Sequence, residues 1–287
     1  MMNDASPFFP GFKTRRISVD GVDIHFVVGG SGPALLLVHG APQSGIMWRR
    51  IAPNLAKQFT VVIPDLRGYG RSGKPVRADY SKRRMAADLI AVMDSLGHDR
   101  FFIAGHDRGA RVTRRLIKDH ESRIIKGAIL DIVPTAYVYA NMSTQVAINM
   151  WNWCVFPAPE PIPEMTLDPV GLINMVNPGL GAPDPAATAD YLATNGNAES
   201  LHAMCEDYRA GVSVDLEHDA ADTDRPIAVP LLICWGNRSF STSEIFDVKK
   251  AWVHEGSDMT FLSIDSGHFL PEENPEATLA LLQEYFA

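Results

Sequence analysis

Gly105-His106-Asp107-Arg108-Gly109 is the stretch that decides the fold. An apolar, strand-like run precedes it at 101–104, and a helical pattern starts at about residue 108, so it lies at a strand-to-helix turn. Glycines on both sides of a central residue allow a sharp turn and let the helix pack closely on the strand. The turn presents Asp107 at a helix N-terminus, where free N–H groups favour an anion. We therefore interpret Asp107 as a nucleophile and not as a simple helix cap.

Strand and helix patterns alternate on both sides of this turn. The runs 34–38 and 59–63 resemble strands buried on two faces, and 81–96 has the spacing of a helix. The alternation resumes at residue 229 and ends in a predicted helix at 275–286. Together with the elbow, this pattern predicts an α/β-hydrolase fold, which is a mostly parallel sheet flanked by helices.

The segment 134–224 breaks the alternation. It contains Trp151, Trp153 and a proline-rich stretch at 157–163, and it has little strand pattern. We interpret it as an inserted helical cap. The predicted domains are therefore an α/β core formed by residues 1–133 and 225–287, and a cap formed by residues 134–224.

The composition of the chain limits the kinds of partner that we expect it to bind. The 287 residues carry a net charge of −8, which argues against nucleic-acid binding. Apolar runs have strand length and are too short to span a membrane. The 3 cysteines are widely spaced, which fits no disulfide framework or zinc site and favours a reducing compartment. The first ten residues do not resemble a secretory leader, so we expect a cytoplasmic protein.

A general base and its orienting acid follow from the order nucleophile, acid, histidine that is typical of this fold. His268 comes directly after the predicted strand at 259–264, where the base is expected. The loop 235–240 contains no carboxylate, whereas Asp131 lies at the end of an earlier strand. We therefore predict that Asp131 orients His268 and stabilises its charged form.

Backbone donors for the reacting ester are predicted from Val38-His39-Gly40-Ala41-Pro42, which follows a buried strand. The N–H groups of Ala41 and Arg108 would point at the ester oxygen.

Arg108 and Arg111 lie three residues apart at the start of the helix after Asp107 and share one face. Buried arginines are costly without an anion, and a guanidinium fork fits a carboxylate. We therefore predict that both bind the carboxylate of a small anionic substrate.

The chain resembles the fluoroacetate (haloacetate) dehalogenases of the α/β-hydrolase superfamily along nearly its whole length. The Asp-Arg elbow with its second arginine is specific, because haloalkane dehalogenases and epoxide hydrolases of this fold usually place Trp after the nucleophile. The other matching stretches are Phe9-Pro10-Gly11-Phe12, His39-Gly40-Ala41-Pro42-Gln43, Asp65-Leu66-Arg67-Gly68-Tyr69-Gly70, Leu130-Asp131-Ile132-Val133-Pro134-Thr135, Cys205-Glu206-Asp207-Tyr208-Arg209-Ala210-Gly211 and Ser266-Gly267-His268-Phe269-Leu270-Pro271-Glu272-Glu273.

The resemblance implies a mechanism without metal or organic cofactor. Asp107 would displace halide from a haloacetate, and water activated by His268 would hydrolyse the ester to glycolate. The halide would be held by Trp153, Tyr208 and Asn152, where Asn152 replaces the histidine of the family. Fluoride is a poor leaving group, so we expect chloroacetate and bromoacetate to be better substrates than fluoroacetate. Ala41 stands where the family usually has a bulky aromatic residue, which favours a larger 2-haloacid or a different carboxylate. The resemblance also implies a homodimer formed through the cap.

Two alternatives differ in class. A hydrolase of an epoxide-bearing acid would need a pair of acidic donors, and Tyr208 with Tyr137 or Tyr139 could supply them. A non-catalytic ligand-binding relative would not need Asp107, Asp131 and His268 together.

Overall fold

The sheet has eight strands in the order β1-β2-β4-β3-β5-β6-β7-β8. We analysed a computed structural model, which describes residues 7–176, 181 and 184–287. The strands are β1 (Lys13–Val19), β2 (Val22–Gly30), β3 (Ala34–Val38), β4 (Thr60–Pro64), β5 (Phe101–His106), β6 (Ile124–Leu130), β7 (Leu231–Gly236) and β8 (Met259–Ile264). The β1–β2 and β2–β4 pairs are antiparallel, and the remaining pairs are parallel.

The helices separate the strands in the alternating manner that the sequence predicts. They are α1 (Ala52–Leu55), α2 (Lys82–Ser95), α3 (Arg108–Asp119), α4 (Thr135–Ala140), α5 (Thr144–Asn149), α6 (Asn152–Val155), α7 (Ile162–Thr166), α8 (Pro169–Val176), α9 (Pro185–Asn195), α10 (Ala198–Val212), α11 (Val214–Ala221), α12 (Val248–Trp252), α13 (Leu270–Glu273) and α14 (Pro275–Phe286).

The central strands β3 and β5 are buried along their whole length, because helices cover both faces of the sheet. Helix α2 begins as predicted, with the Ser81 side chain accepting a hydrogen bond from the N–H of Arg84. The predicted α/β-hydrolase fold, with its mostly parallel sheet, is confirmed.

Two predicted elements are shorter in the structure. The apolar run over 124–132 predicts a strand, but the strand ends at Leu130, because Asp131 has φ +55° and turns the chain out of the sheet. The sequence pattern over 244–253 predicts a helix, but the helix covers only Val248–Trp252. Asp247 caps its start, and the residues before it form a turn in which the N–H of Glu244 donates to the carbonyl of Ser239.

Between β6 and β7, the described residues form helices α4 to α11 and contain no strand. This pattern supports the interpretation of 134–224 as a helical insert, although the domain boundaries stay a prediction. No helix among the described residues is both long and apolar enough to cross a membrane. Cys154, Cys205 and Cys234 are free thiols. Residues 1–6, on which part of the expectation about a leader depends, lie outside the described ranges.

Candidate active site

Asp107 sits at the tip of the turn between β5 and α3, with φ +48° and ψ −121°. Close packing leaves no room for a side chain at Gly105 and Gly109 on either side of Asp107. A Cβ on Gly105 would lie 2.2 Å from Oγ1 of Thr113, and one on Gly109 would lie 2.2 Å from the carbonyl oxygen of His39. The short-range sequence therefore forces the Asp107 side chain out of the sheet edge, as the elbow motif predicts.

The Asp107 carboxylate is held by two neighbours. Its Oδ1 accepts a hydrogen bond of 3.0 Å from the backbone N–H of Ala41, and its Oδ2 lies 3.6 Å from Nε2 of His268. Burial alone would raise the pKa of Asp107, but the hydrogen bond and the charge of His268 outweigh burial and place the pKa well below its usual value. The carboxylate is therefore ionised, as a nucleophile must be.

His268 lies between the two aspartates. Its Nδ1 is 2.6 Å from Oδ2 of Asp131, on the side opposite Asp107. Burial would lower the pKa of His268, but hydrogen bonds to Asp107 and Asp131 raise it to about 10. The imidazole is consequently protonated at neutral pH while Asp107 is ionised.

A ring of donors from the loop after β7 surrounds Asp131. Thr242 Oγ1 and the Gly236 N–H each donate to Oδ1 at 2.9 Å, and Ser239 Oγ donates to Oδ2 at 2.6 Å. Ser241 Oγ lies 2.9 Å from Nδ1 of His268. The sequence of this loop contains no carboxylate, and the role of these hydroxyl residues was not predicted from it. Three hydroxyls in the four residues after 238 were the available signal.

The loop that carries His268 is fixed from both sides. Glu273 accepts hydrogen bonds from the N–H groups of Gly267 and Phe269, at 2.7 and 2.8 Å. His106 Nε2 lies 2.7 Å from the carbonyl oxygen of His268. Burial, together with the charge of His268, lowers the pKa of His106 to about 4. This neutral ring therefore donates to the carbonyl and holds the base in place.

The two arginines after Asp107 have different surroundings. Arg108 donates through Nε and Nη2 to both carboxylate oxygens of Asp207 on α10, at 2.8 Å each. Asp207 also accepts from Lys82 and from the Tyr69 hydroxyl. Because Asp207 already neutralises Arg108, the burial of this arginine does not by itself require a substrate anion, and its binding of the substrate carboxylate stays a prediction. Only its Nη1 is without a hydrogen bond to the described residues.

Arg111 faces the cavity without a carboxylate partner among the described residues. Its Nη1 donates to the Val133 carbonyl at 2.9 Å and to Thr135 Oγ1 at 3.0 Å. Within the same described part of the chain, Nε and Nη2 have no hydrogen bond. Burial, followed by the charge of Arg108, lowers the pKa of Arg111 to about 10, so the group is still a cation at neutral pH.

The predicted halide residues meet at one wall of the cavity. Asn152 Nδ2 donates to the Tyr208 hydroxyl oxygen at 2.9 Å, and the rings of Trp153 and Tyr208 form an edge contact at 6.0 Å. Burial raises the pKa of Tyr208 above its usual value, so its hydroxyl keeps its proton. Because that oxygen accepts from Asn152, the hydroxyl hydrogen is left to donate elsewhere.

These residues enclose a cavity of about 300 Å³. Its polar lining consists of Asp107, Arg111, Asp131, Asn149, Asn152, Tyr208, Ser241 and His268. Its apolar lining consists of Ala41, Pro42, Ile132, Met150, Trp151, Trp153, Phe156, Leu172, Met175, Val176, Met204, Phe240 and Phe269. Arg108 is the one predicted site residue that does not line this cavity in the described structure.

Known proteins share both the sequence and the fold. Residues 33–152 match the alpha/beta hydrolase fold family. The chain is 39% identical to a fluoroacetate dehalogenase of Burkholderia sp over 97% of this chain and 95% of that one. It is 31% identical to a soluble epoxide hydrolase of Corynebacterium sp. (strain C12), over 95% and 96% of the two chains.

A solved structure of a proposed epoxide hydrolase from Pseudomonas aeruginosa matches with a TM-score of 0.91 at 35% identity, over 98% of this chain and 97% of that one. The chain is thus a hydrolase of the α/β fold. The extent of identity with the dehalogenase shows that it belongs to the fluoroacetate (haloacetate) dehalogenase family of the α/β-hydrolase superfamily.

Proposed function

We propose that the protein is a hydrolytic dehalogenase of 2-haloacids, with Asp107 as its covalent nucleophile. The main support for this proposal comes from Arg111. It is a buried cation that lines the cavity, and its Nε and Nη2 have no partner among the described residues. These two atoms form one edge of the guanidinium fork, which matches a carboxylate in geometry and charge. Arg111 follows Asp107 by one helical turn, so a carboxylate bound there would bring its C2 atom to the nucleophile.

The first step is a displacement at C2. The N–H of Ala41 holds Oδ1 of Asp107, which leaves Oδ2 as the attacking atom. A bond forms between Oδ2 and C2 while the carbon–halogen bond breaks, and the halide leaves with the bonding electron pair. The Tyr208 hydroxyl, Trp153 and Asn152 would stabilise the halide, as the sequence analysis predicts.

The second step depends on a change in the pKa of His268. Esterification removes the charge of Asp107, which is one of the groups that raise the pKa of His268. The imidazolium then releases its proton and can take one from water. The resulting hydroxide attacks the ester carbonyl carbon of Asp107, while the Ala41 N–H holds the oxyanion. The bond between that carbon and Oδ2 then breaks, and Oδ2 leaves as the hydroxyl oxygen of the product with the proton from His268, which restores the Asp107 carboxylate. The Arg108 N–H as a second donor stays a prediction. A 2-haloacid and water thus give a 2-hydroxy acid, halide and a proton, so chloroacetate gives glycolate.

The epoxide alternative has less support. Tyr208 lines the cavity, but Tyr139 donates to the Trp153 carbonyl at 3.3 Å and Tyr137 packs against Phe246. Neither provides the second tyrosine donor in the described structure. A purely ligand-binding relative has no need of a histidine held between two carboxylates. The homodimer and the cytoplasmic location stay proposals from the resemblance and the composition.

Halide release from fluoroacetate and chloroacetate tests the function. We expect the wild type to release chloride faster than fluoride, no release from Asp107→Ala, and a gain in fluoride release from Asn152→His. Asn141→His is the matched control, because Asn141 is exposed and its amide donates to the Tyr137 carbonyl. Glycidate, an epoxide-bearing acid, tests the alternative. Folded wild type that releases no halide from either acid would contradict the proposal.

A further inference from the structure

The cavity is larger than a haloacetate needs. It holds about 300 Å³. One water occupies about 30 Å³ of the liquid, so the cavity has room for roughly ten non-hydrogen atoms. A haloacetate has about half that number, which would leave much of the space to water in a cavity with mainly apolar walls.

The charged groups of this lining form one cluster. The charged side chains of the described lining are Asp107, Asp131, His268 and Arg111, and they belong to the candidate active site. The Arg111 guanidinium lies 4.5 Å from the centre of the Trp153 ring, which marks where the apolar wall begins.

The wall continues from there into the helices between β6 and β7. The Trp153 ring contacts Tyr208, Tyr208 contacts Phe156 at 4.9 Å, and Phe156 contacts Trp151 at 6.0 Å. Met150, Leu172 and Met204 complete this part of the lining. Methionine side chains adapt their shape to different apolar groups, so the wall suits a range of substituents.

We infer that the site accepts 2-halo monocarboxylic acids with an apolar substituent of up to about five carbon atoms at C2. This inference rests on the proposed function. The carboxylate lies on Arg111, C2 faces Asp107, and the substituent extends along Met150, Phe156, Leu172 and Met204. A second carboxylate in the substituent would meet no cation in the described lining and would lose its hydration.

Halogen-free acids can bind the site but cannot be dehalogenated, so their affinities measure the apolar part of the site separately from the reaction. We expect affinity to rise from acetate to butyrate to hexanoate, by up to about fourfold per methylene that becomes fully buried. Succinate should bind more weakly than butyrate. Calorimetry, or competition against bromoacetate turnover, measures these affinities. Among substrates, 2-bromohexanoate should have a lower KM than bromoacetate.

Two variants of helix α8 test where in the cavity the apolar substituent binds. Leu172→Trp fills part of the apolar region, so the ratio of hexanoate to acetate affinity should fall toward one. Val170→Trp adds the same side chain to an exposed position of α8 that does not line the cavity, and it should keep the wild-type ratio.

The outcomes separate the two proposals. Bromide release from bromoacetate, combined with hexanoate binding no tighter than acetate, overturns this inference and leaves the proposed function standing. Hexanoate binding that is tighter than acetate binding, without bromide release from any acid, supports the apolar region and overturns the dehalogenase function. A wild-type affinity ratio in Leu172→Trp would also contradict the inference, because the substituent would then lie elsewhere.

Discussion

Replacement of Arg111 by methionine should strongly reduce activity without weakening the fold. Nε and Nη2 of Arg111 have no hydrogen bond to the described residues and can donate two hydrogen bonds to the substrate carboxylate. A hydrogen bond to a charged group contributes about 1.5 to 3 kcal/mol. Loss of both therefore costs at least about 3 kcal/mol of transition-state binding, which is a reduction in kcat/KM of about 150-fold.

The effect on stability should be small. Burial, followed by the charge of Arg108, lowers the pKa of Arg111 to about 10. A base whose pKa is lowered by folding binds its proton less tightly in the folded chain, and at pH 7 it is protonated in both states. Its charge therefore destabilises the fold by about 3 kcal/mol. Methionine removes this cost but also removes the hydrogen bonds that this charged group donates to Val133 and Thr135, at about 1.5 kcal/mol each. The two effects nearly cancel, so we expect an unfolding free energy close to that of wild type.

Halide release and urea unfolding of the same preparation test both parts. Arg111→Lys is the matched variant, because it keeps the charge and loses the fork, and it should have intermediate activity. Activity of Arg111→Met within tenfold of wild type would refute the assignment of the carboxylate to Arg111. A loss of more than about 2 kcal/mol in unfolding free energy would refute the claim that Arg111 is held at a cost to the fold.

Other predictions concern His268 and its partners. His268→Gln should form the Asp107 ester but not hydrolyse it, giving one equivalent of halide per site and a mass increase of the intact protein; steady turnover would contradict the assigned base. The pKa of His268 is raised to about 10, so its contribution to stability is complete below its unfolded pKa and is lost as pH rises toward 10. The difference in unfolding free energy between wild type and His268→Gln should therefore shrink from pH 7 to pH 10, and a constant difference would argue against the Asp107 and Asp131 contacts. Ser239→Ala removes a 2.6 Å hydrogen bond to Asp131 and should cost about 1 to 3 kcal/mol of stability. It should also shift the pH profile of kcat, which simple destabilisation would not do. An unchanged profile would leave Ser239 a structural role only.

Local chemistry made much of the site predictable. The turn at Asp107 depends on glycines that are its sequence neighbours, and chain order places His268 after the last strand. Asp131 could be chosen because the competing loop has no carboxylate. These inferences need only a strand, a turn and the order of the strands, which the periodicity of the sequence predicts.

Contacts between distant segments were not predictable in the same way. Arg108 and Asp207 are 99 residues apart and meet only because the fold brings α10 to the first residue of α3. The sequence shows two arginines on one helical face, and nothing local tells which one has an internal partner. The contacts of the Ser239 and Thr242 hydroxyls could not be predicted either, because a serine-rich turn usually faces solvent. Their role depends on where β7 ends relative to Asp131.

The bonds to Asp207 also restrict how this protein can be recombined with its relatives. Helix α10 brings the carboxylate, whereas α2 and α3 bring Lys82 and Arg108. A chimera that takes the segment 134–224 from a donor without an acidic residue at the position of Asp207 would leave two cations facing each other in the interior. Exchange of this segment to alter substrate range therefore succeeds only when these three positions are inherited together. Directed recombination should keep them as one linked set.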